Sequence, residues 1–223
     1  HQWRQPLSGI STAATGMMLL KDSEKLTDEV FYEYCNLINK DVQYLSNTID
    51  DFKAFFSPNK IQKIFNLKEY LQKCVELVSS SFDTNMIKTI QEIDDKINSF
   101  GDPNQLLQAL INILNNAKDA LRSASNLREK LVFIVTVKED GNNNIIITIK
   151  DNAGGIPEKI LPRIFEPYFT TKDQTLGTGL GLYITHTIIT KNLNGLIDVE
   201  NEIFTYEDET YKGAKFTVTL PIN

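Results

Sequence analysis

The 223 residues carry 29 acidic against 23 basic side chains, a net charge of −6, and 41% are hydrophobic. At about 150 residues per domain the length fits one large domain or two unequal ones, the apolar share supports a real core, and the acidic balance argues against a nucleic-acid binder, whose footprint needs clustered Lys and Arg. No apolar stretch approaches the ~18 residues of a spanning helix and no signal-peptide pattern opens the chain, so no membrane contact is expected.

From the first residue, Trp3, Leu7, Ile10, Ala14 and Met17 recur at the spacing of a bundle-helix seam, with Pro6 expected to bend that helix locally. The chain opens inside this pattern with no N-cap, so a preceding segment is expected. After a polar break over 21–27, the seam returns as Phe31, Cys35, Ile38, Val42, Leu45, Ile49, Phe52 and Phe56. It ends at Ser57-Pro58, because proline disfavours helix in the residue before it. Residues 1–58 thus read as a helical hairpin. A unit so small rarely buries enough surface alone, and two copies would bury both stripes in a four-helix bundle, so a homodimer is expected.

Residues 59–65 read as a linker and 66–223 as a mixed domain. A helix is predicted over 66–79, with Leu67, Leu71, Val75 and Val78 on one face, then a strand near 87–93. Asp102 is the predicted N-cap of the next helix, Pro103 its first residue and Gln105 the partner in a capping box; the helix runs to about Ser123. Residues 131–138 and 145–150 alternate β-branched side chains across a Gly141–Asn144 turn, as a hairpin does. A helix over 182–191 and strands over 196–201 and 215–220 complete the order. The fold class is α+β, a sandwich with helices on one face of a mostly antiparallel sheet. Cys35 and Cys74, far apart and within apolar patterns, read as core thiols rather than a disulfide or zinc pair.

Three groups of residues carry chemistry. On the helix from Asp102, Asn112, Asn116 and Asp119 form a polar stripe beside the apolar face. Asparagine is a poor helix former, and its amide oxygen is a hard ligand suited to Mg²⁺ bound together with phosphates. Asp151-Asn152-Ala153-Gly154-Gly155-Ile156-Pro157 places a carboxylate at a strand end before two glycines, where it can accept from an exocyclic amine while a flat base approaches the backbone. Gly177-Thr178-Gly179-Leu180-Gly181 opens a helix and presents backbone N–H groups to an anion.

In this order the groups resemble the transmitter module of sensor histidine kinases of two-component signalling, over essentially the whole chain. Asn112–Asn116 resembles the N box, Asp151–Pro157 the first glycine box, Arg163–Lys172 the F box and Gly177–Gly181 the second glycine box, while His1-Gln2-Trp3-Arg4-Gln5-Pro6-Leu7 resembles the H box. The resemblance implies a GHKL (Bergerat) ATP-binding sandwich behind a dimerisation and phosphotransfer hairpin. It implies His1 as phospho-acceptor, Asn116 as the Mg²⁺ ligand, Asn112 on the phosphate side and Asp151 holding the adenine amine. Asp119, Gly155, Ile156, Phe169, Thr171, Lys172, Gly177, Thr178, Gly179, Leu180 and Gly181 are implied as further ATP contacts, with 158–178 as a mobile lid. The implied cofactors are ATP and Mg²⁺, the implied partner a response-regulator receiver domain, and the implied location the cytoplasm. His186, the other histidine, reads as structural.

The chain departs from the family in four places. Gln2 stands where an acidic residue usually follows the histidine, and an amide cannot take up a proton at neutral pH, which implies slower autophosphorylation. Gln5 replaces the Thr or Asn linked to regulator dephosphorylation, so a phosphatase role would rest on a longer arm. Asp119 stands where a phosphate-contacting lysine is common, leaving that charge to Lys172 or Lys118. Ala153 stands for a glycine. Two other readings stay open: a GHKL ATPase, which needs a general-base Glu where this chain has Asn112, and a nucleotide-binding signalling module without phosphotransfer, which Gln2 favours.

Overall fold

Alternation and helical periodicity resolve into five α helices and seven strands among the described residues. The computed structural model describes residues 4–55, 62–125, 127–139, 144–172 and 178–222. The chain divides into two compact units, residues 1–57 with 167–180 and residues 58–166 with 181–223.

In the first unit, α1 (Arg4–Asp22) and α2 (Asp28–Phe55) pack antiparallel. Gly9 lies against Asp41 and Gly16 against Tyr34, so contact positions rise along one helix as they fall along the other. The inner seam of α1 is Pro6, Gly9, Ala13, Gly16 and Leu20, with Ala13 only 1% exposed. Ile10, Ala14 and Met17 of the predicted stripe flank this seam and are half-buried, while the small residues at its centre let the helices approach closely. Leu7, Met18, Phe31 and Val42 consequently stay exposed. Cys35 is only half-buried, whereas Cys74 is fully enclosed and its thiol is pushed up to about 12 by burial.

In the second unit, β1 (Lys63–Asn66) pairs antiparallel with β3 (Asn98–Gly101). Strand β1 occupies part of the stretch expected to be a linker. Helix α3 (Leu67–Thr84) is capped by Asn66, whose Oδ1 accepts from Glu69 N–H at 3.3 Å and whose Nδ2 donates to Asp95 O at 2.9 Å. The main sheet has the order β2 (Ile87–Glu92), β4 (Lys130–Glu139), β5 (Asn144–Asp151), β7 (Glu209–Pro221), β6 (Leu196–Tyr206). Only the β2–β4 pair is parallel. The turn expected at 141–144 lies mostly outside the described residues.

Strand β5 shows why one face is core: Ile145, Ile147 and Ile149 are buried, while the alternate positions are only half-buried. Leu106, Leu110, Ile113, Leu114, Ala117 and Leu121 of α4 (Pro103–Ser123) supply the other half of that core. Asp102 caps α4 as predicted, its Oδ1 accepting from Asn104 N–H at 3.0 Å. The reciprocal half of the capping box is not made: Gln105 is buried with its Oε1 lacking a partner. Helix α5 (Gly181–Thr187) runs into a π-helical turn, Ile188–Asn192, rather than remaining α-helical to Lys191.

Strands β6 and β7 continue well past the predicted 196–201 and 215–220, meeting at a two-residue turn in which Glu207 (φ 47°) and Asp208 (φ 63°) are both left-handed. On the sheet's other face Phe133 meets Phe204 and Tyr206 edge-on at 5.3 and 5.2 Å, and Lys150 Nζ sits 3.8 Å from the Phe204 ring centre while pairing with Glu202 at 3.3 Å. These contacts bind the long β6–β7 ribbon to the sheet.

Candidate nucleotide site

The last residue of β5, Asp151, points to the buried face and is 4% exposed. Its Oδ1 accepts from Ala153 N–H at 2.9 Å and Ala214 N–H at 3.3 Å. Burial pushes its carboxyl up from 3.8 to about 6, outweighing the two amide donors that pull it down. With Oδ1 committed, Oδ2 is the oxygen left to receive a ligand's donor. Gly213 packs on the Asp151 carbonyl so closely that any Cβ there would overlap it.

The loop after Asp151 needs its glycines. Gly154 (φ 97°) and Gly155 (φ 86°) hold backbone angles that side-chain-bearing residues rarely adopt. Asn152 clips the strand end to its neighbour, accepting from Leu131 N–H at 2.8 Å and donating to Glu129 O at 2.9 Å. Gly154 N–H reaches Lys212 O at 2.9 Å. Asn201 on β6 accepts from Ile156 N–H at 2.7 Å and donates to Ile156 O at 2.7 Å and Glu158 Oε1 at 2.9 Å.

On α4, Asn112 Nδ2 donates to Gly181 O at 3.1 Å and Thr185 Oγ1 at 3.4 Å, joining the N-box stripe to the helix behind the second glycine group. Thr185, fully buried, donates its own hydroxyl hydrogen bond to Ala109 O at 3.4 Å. Asn116 Nδ2 turns back to Asn112 O at 2.9 Å, which orients the amide so that Oδ1 is its acceptor atom. Asp119 lies half-buried on the same helix. Lys118 Nζ donates to Asn115 Oδ1 at 2.9 Å. His186 packs against Phe165 with ring centres 5.3 Å apart and planes tilted by 42°.

Phe169, Thr171, Lys172, Thr178, Gly179 and Leu180 fall in the 167–180 segment, which clusters with the first unit. Within it Tyr168 N–H donates to Gly179 O at 2.9 Å, both residues being left-handed (φ 67° and 65°). A Cβ on Gly179 would strike the Tyr168 backbone. Lys172 N–H donates to Thr170 Oγ1 at 3.1 Å and Leu180 N–H to Thr178 Oγ1 at 3.2 Å. Gly177, His1 and Gln2 lie outside the described residues, and Gln5 falls in the first turn of α1.

A donor set of one amide oxygen, Asn116 Oδ1, fits Mg²⁺, which keeps several waters and is held largely by substrate phosphates. Among the described residues no cluster of three His, Cys, Asp or Glu side chains offers a cage for a resident metal.

Residues 101–223 match the family of histidine kinase-, DNA gyrase B- and HSP90-like ATPases. The chain belongs to that family. Its likeness to sporulation kinase E of Bacillus subtilis (strain 168) runs over the hairpin as well, at 30% identity across 100% of this chain and 27% of the relative. This extent makes the chain a sensor histidine kinase transmitter module, one spanning about a quarter of that relative's length. The catalytic domain of histidine kinase ThkA superposes with a TM-score of 0.58 at 27% identity, covering 72% of this chain and 97% of that domain. A longer ThkA structure, solved in complex with the response regulator TrrA, shares the fold over 100% of this chain and 59% of its own, with a TM-score of 0.71 at 23% identity.

No local sequence signal marks the roles of Asn152, Asn201, Thr185 and Gly213. Asn152 lies within the first glycine box, but its clip to β4 depends on strand pairing. Asn201 and Gly213 are brought to the loop by a ribbon longer than the alternation signalled.

Proposed function

We propose that this module is an ATP-dependent histidine autokinase that transfers the γ-phosphoryl group to His1 and then to an aspartate on a response regulator. The observation that carries the nucleotide reading is Asp151: a buried carboxylate with one oxygen locked by two backbone amides and the other left for a donor, beside two left-handed glycines. An adenine amino group is the matching donor, and guanine presents a carbonyl oxygen at the corresponding position, which would oppose the carboxylate. Asn112 and Asn116 then face the phosphate side. Asn116 Oδ1 would ligate Mg²⁺, which neutralises phosphate charge when bound.

At His1 a neutral imidazole nitrogen attacks the γ-phosphorus. The bond to the β,γ-bridging oxygen breaks, ADP carries that electron pair, and the ring proton passes to solvent, since Gln2 cannot accept it. Lys172 is assigned the phosphate-facing charge, a choice supported by Lys118 being bound to Asn115. Gly177, Thr178, Gly179, Leu180 and Gly181 would frame the lid with Phe169 and Thr171, while Gly155 and Ile156 back the base; Gln5 would orient water if the module also dephosphorylates its regulator. Asn112 donates through its amide and offers no general base, which weighs against simple ATP hydrolysis.

The receiver-domain partner is supported by the solved ThkA complex, and a homodimer by the exposed apolar stripe of the hairpin, Leu7, Met18, Phe31 and Val42. Among the described residues no helix is long and apolar enough to cross a membrane; we assign the module to the cytoplasm, where ATP and a receiver domain are found. Calorimetric titration with ADP and Mg²⁺ tests the nucleotide reading. Binding that Asp151→Asn removes supports it, and equal binding by both proteins refutes it.

A further inference from the structure

We infer that Asn201 is a positioning residue for the base-recognition loop and for the first residue of the lid. The inference rests on the nucleotide-site reading above. Three ties hold residues 151–158 to the β6–β7 ribbon. Two use ribbon backbone: Ala214 N–H to Asp151 Oδ1, and Gly154 N–H to Lys212 O. The third uses the Asn201 side chain, which closes on Ile156 from both sides of the residue, accepting from its N–H and donating to its carbonyl, each at 2.7 Å. An amide that satisfies both polar groups of one residue acts as a missing strand neighbour, so a loop without a β partner is held as firmly as a paired one.

The remaining Asn201 proton goes to Glu158 Oε1 at 2.9 Å, carrying the hold to the start of the 158–178 segment. Gly155 completes the fit, since a Cβ there would run into the Asn201 amide. The amide chemistry is specific. Aspartate keeps the acceptor for Ile156 N–H, loses both donors and sets a second carboxylate against Glu158. Alanine loses all three bonds.

The loop carries the groups that would meet the base, so a loosened loop should weaken nucleotide binding before it alters the chemical step. For the full chain with Asn201→Ala, Kd and KM for ATP are expected to rise about tenfold or more, with kcat changed less than KM. Hydrogen exchange at Ile156 N–H should quicken in the nucleotide-free protein. Asn201→Asp should behave similarly, and adding Glu158→Gln should recover much of the affinity, because the new amide donates to the new carboxylate. A general structural role predicts no such rescue.

Wild-type affinity and unchanged Ile156 exchange in Asn201→Ala would overturn the proposal. So would a rise in KM matched by an equal loss of kcat and a lower melting temperature, with nothing restored by Glu158→Gln. Wild-type protein that binds no adenine nucleotide would remove the underlying site reading and the proposal with it. That failure is distinct from the first two, which appear only against a wild type that binds.

Discussion

Asp151→Asn should make the fold more stable while destroying the site. The carboxyl is raised from 3.8 to about 6 by burial, so the folded state favours the protonated form. The sign follows from linkage. Below the unfolded value of 3.8 the group is protonated in both states and costs nothing; as pH rises towards 6 the unfolded chain releases its proton first, and stability falls. Above about pH 7 the whole cost is in place, and an upward displacement of about two pH units corresponds to about 3 kcal/mol. Asparagine has no charge to bury and keeps an oxygen for Ala153 N–H and Ala214 N–H. Urea unfolding of both proteins from pH 3.5 to 8 should therefore show curves that meet at the acid end and separate to about 3 kcal/mol in favour of the variant by pH 7.5. With Oδ1 occupied, the variant's Nδ2 replaces Oδ2 and meets the adenine amine donor to donor, so nucleotide affinity should fall about a hundredfold. Equal stability at pH 7.5, or a less stable variant, would refute the buried-charge argument.

Wild-type affinity for ADP should weaken as pH drops below about 6, because protonated Asp151 can no longer accept through both oxygens; titration calorimetry at pH 5 and 7.5 compares the two states, and Asp151→Asn should show no such step. Asn116→Ala should abolish the Mg²⁺ dependence of nucleotide affinity, read as equal binding with magnesium and with a chelator. Gly213→Ala should destabilise the sandwich by roughly 2 kcal/mol or more, since its methyl would overlap the Asp151 carbonyl, and should lower the melting temperature by several degrees. Val42→Glu, placed on the exposed stripe of α2, should shift the chain from dimer to monomer in sedimentation equilibrium while the melting of the sandwich is unaffected.

Where a signal was local, the sequence was explicit. Asp102-Pro103 announced α4 because cap and first-turn proline act within a few residues, and alternation in 145–150 announced β5 because one face is core. The capping box failed at Gln105, whose side chain is drawn into the buried face instead of reaching back. In α1 the predicted stripe lies beside the closest contact with α2, because Gly9 and Gly16, invisible to an apolar count, are where the two helices approach. The β6–β7 ribbon outruns its sequence signal because charged residues interrupt the apolar alternation around its turn, Glu207-Asp208, which carries none of the Asn-Gly or Asp-Gly chemistry that usually marks left-handed pairs. The candidate site followed the same division. Asp151, Asn112 and Asn116 stood out by residue type and spacing, whereas Asn201 reaches Ile156 across 45 positions and acquires its role only through strand pairing.

The most direct test of the account is incubation of the purified chain with γ-labelled ATP and Mg²⁺, beside His1→Gln and Asn116→Ala. The account predicts label on the wild type that is stable to alkali, labile to acid and absent from both variants. Acid-stable label, or label that persists in His1→Gln, would contradict it.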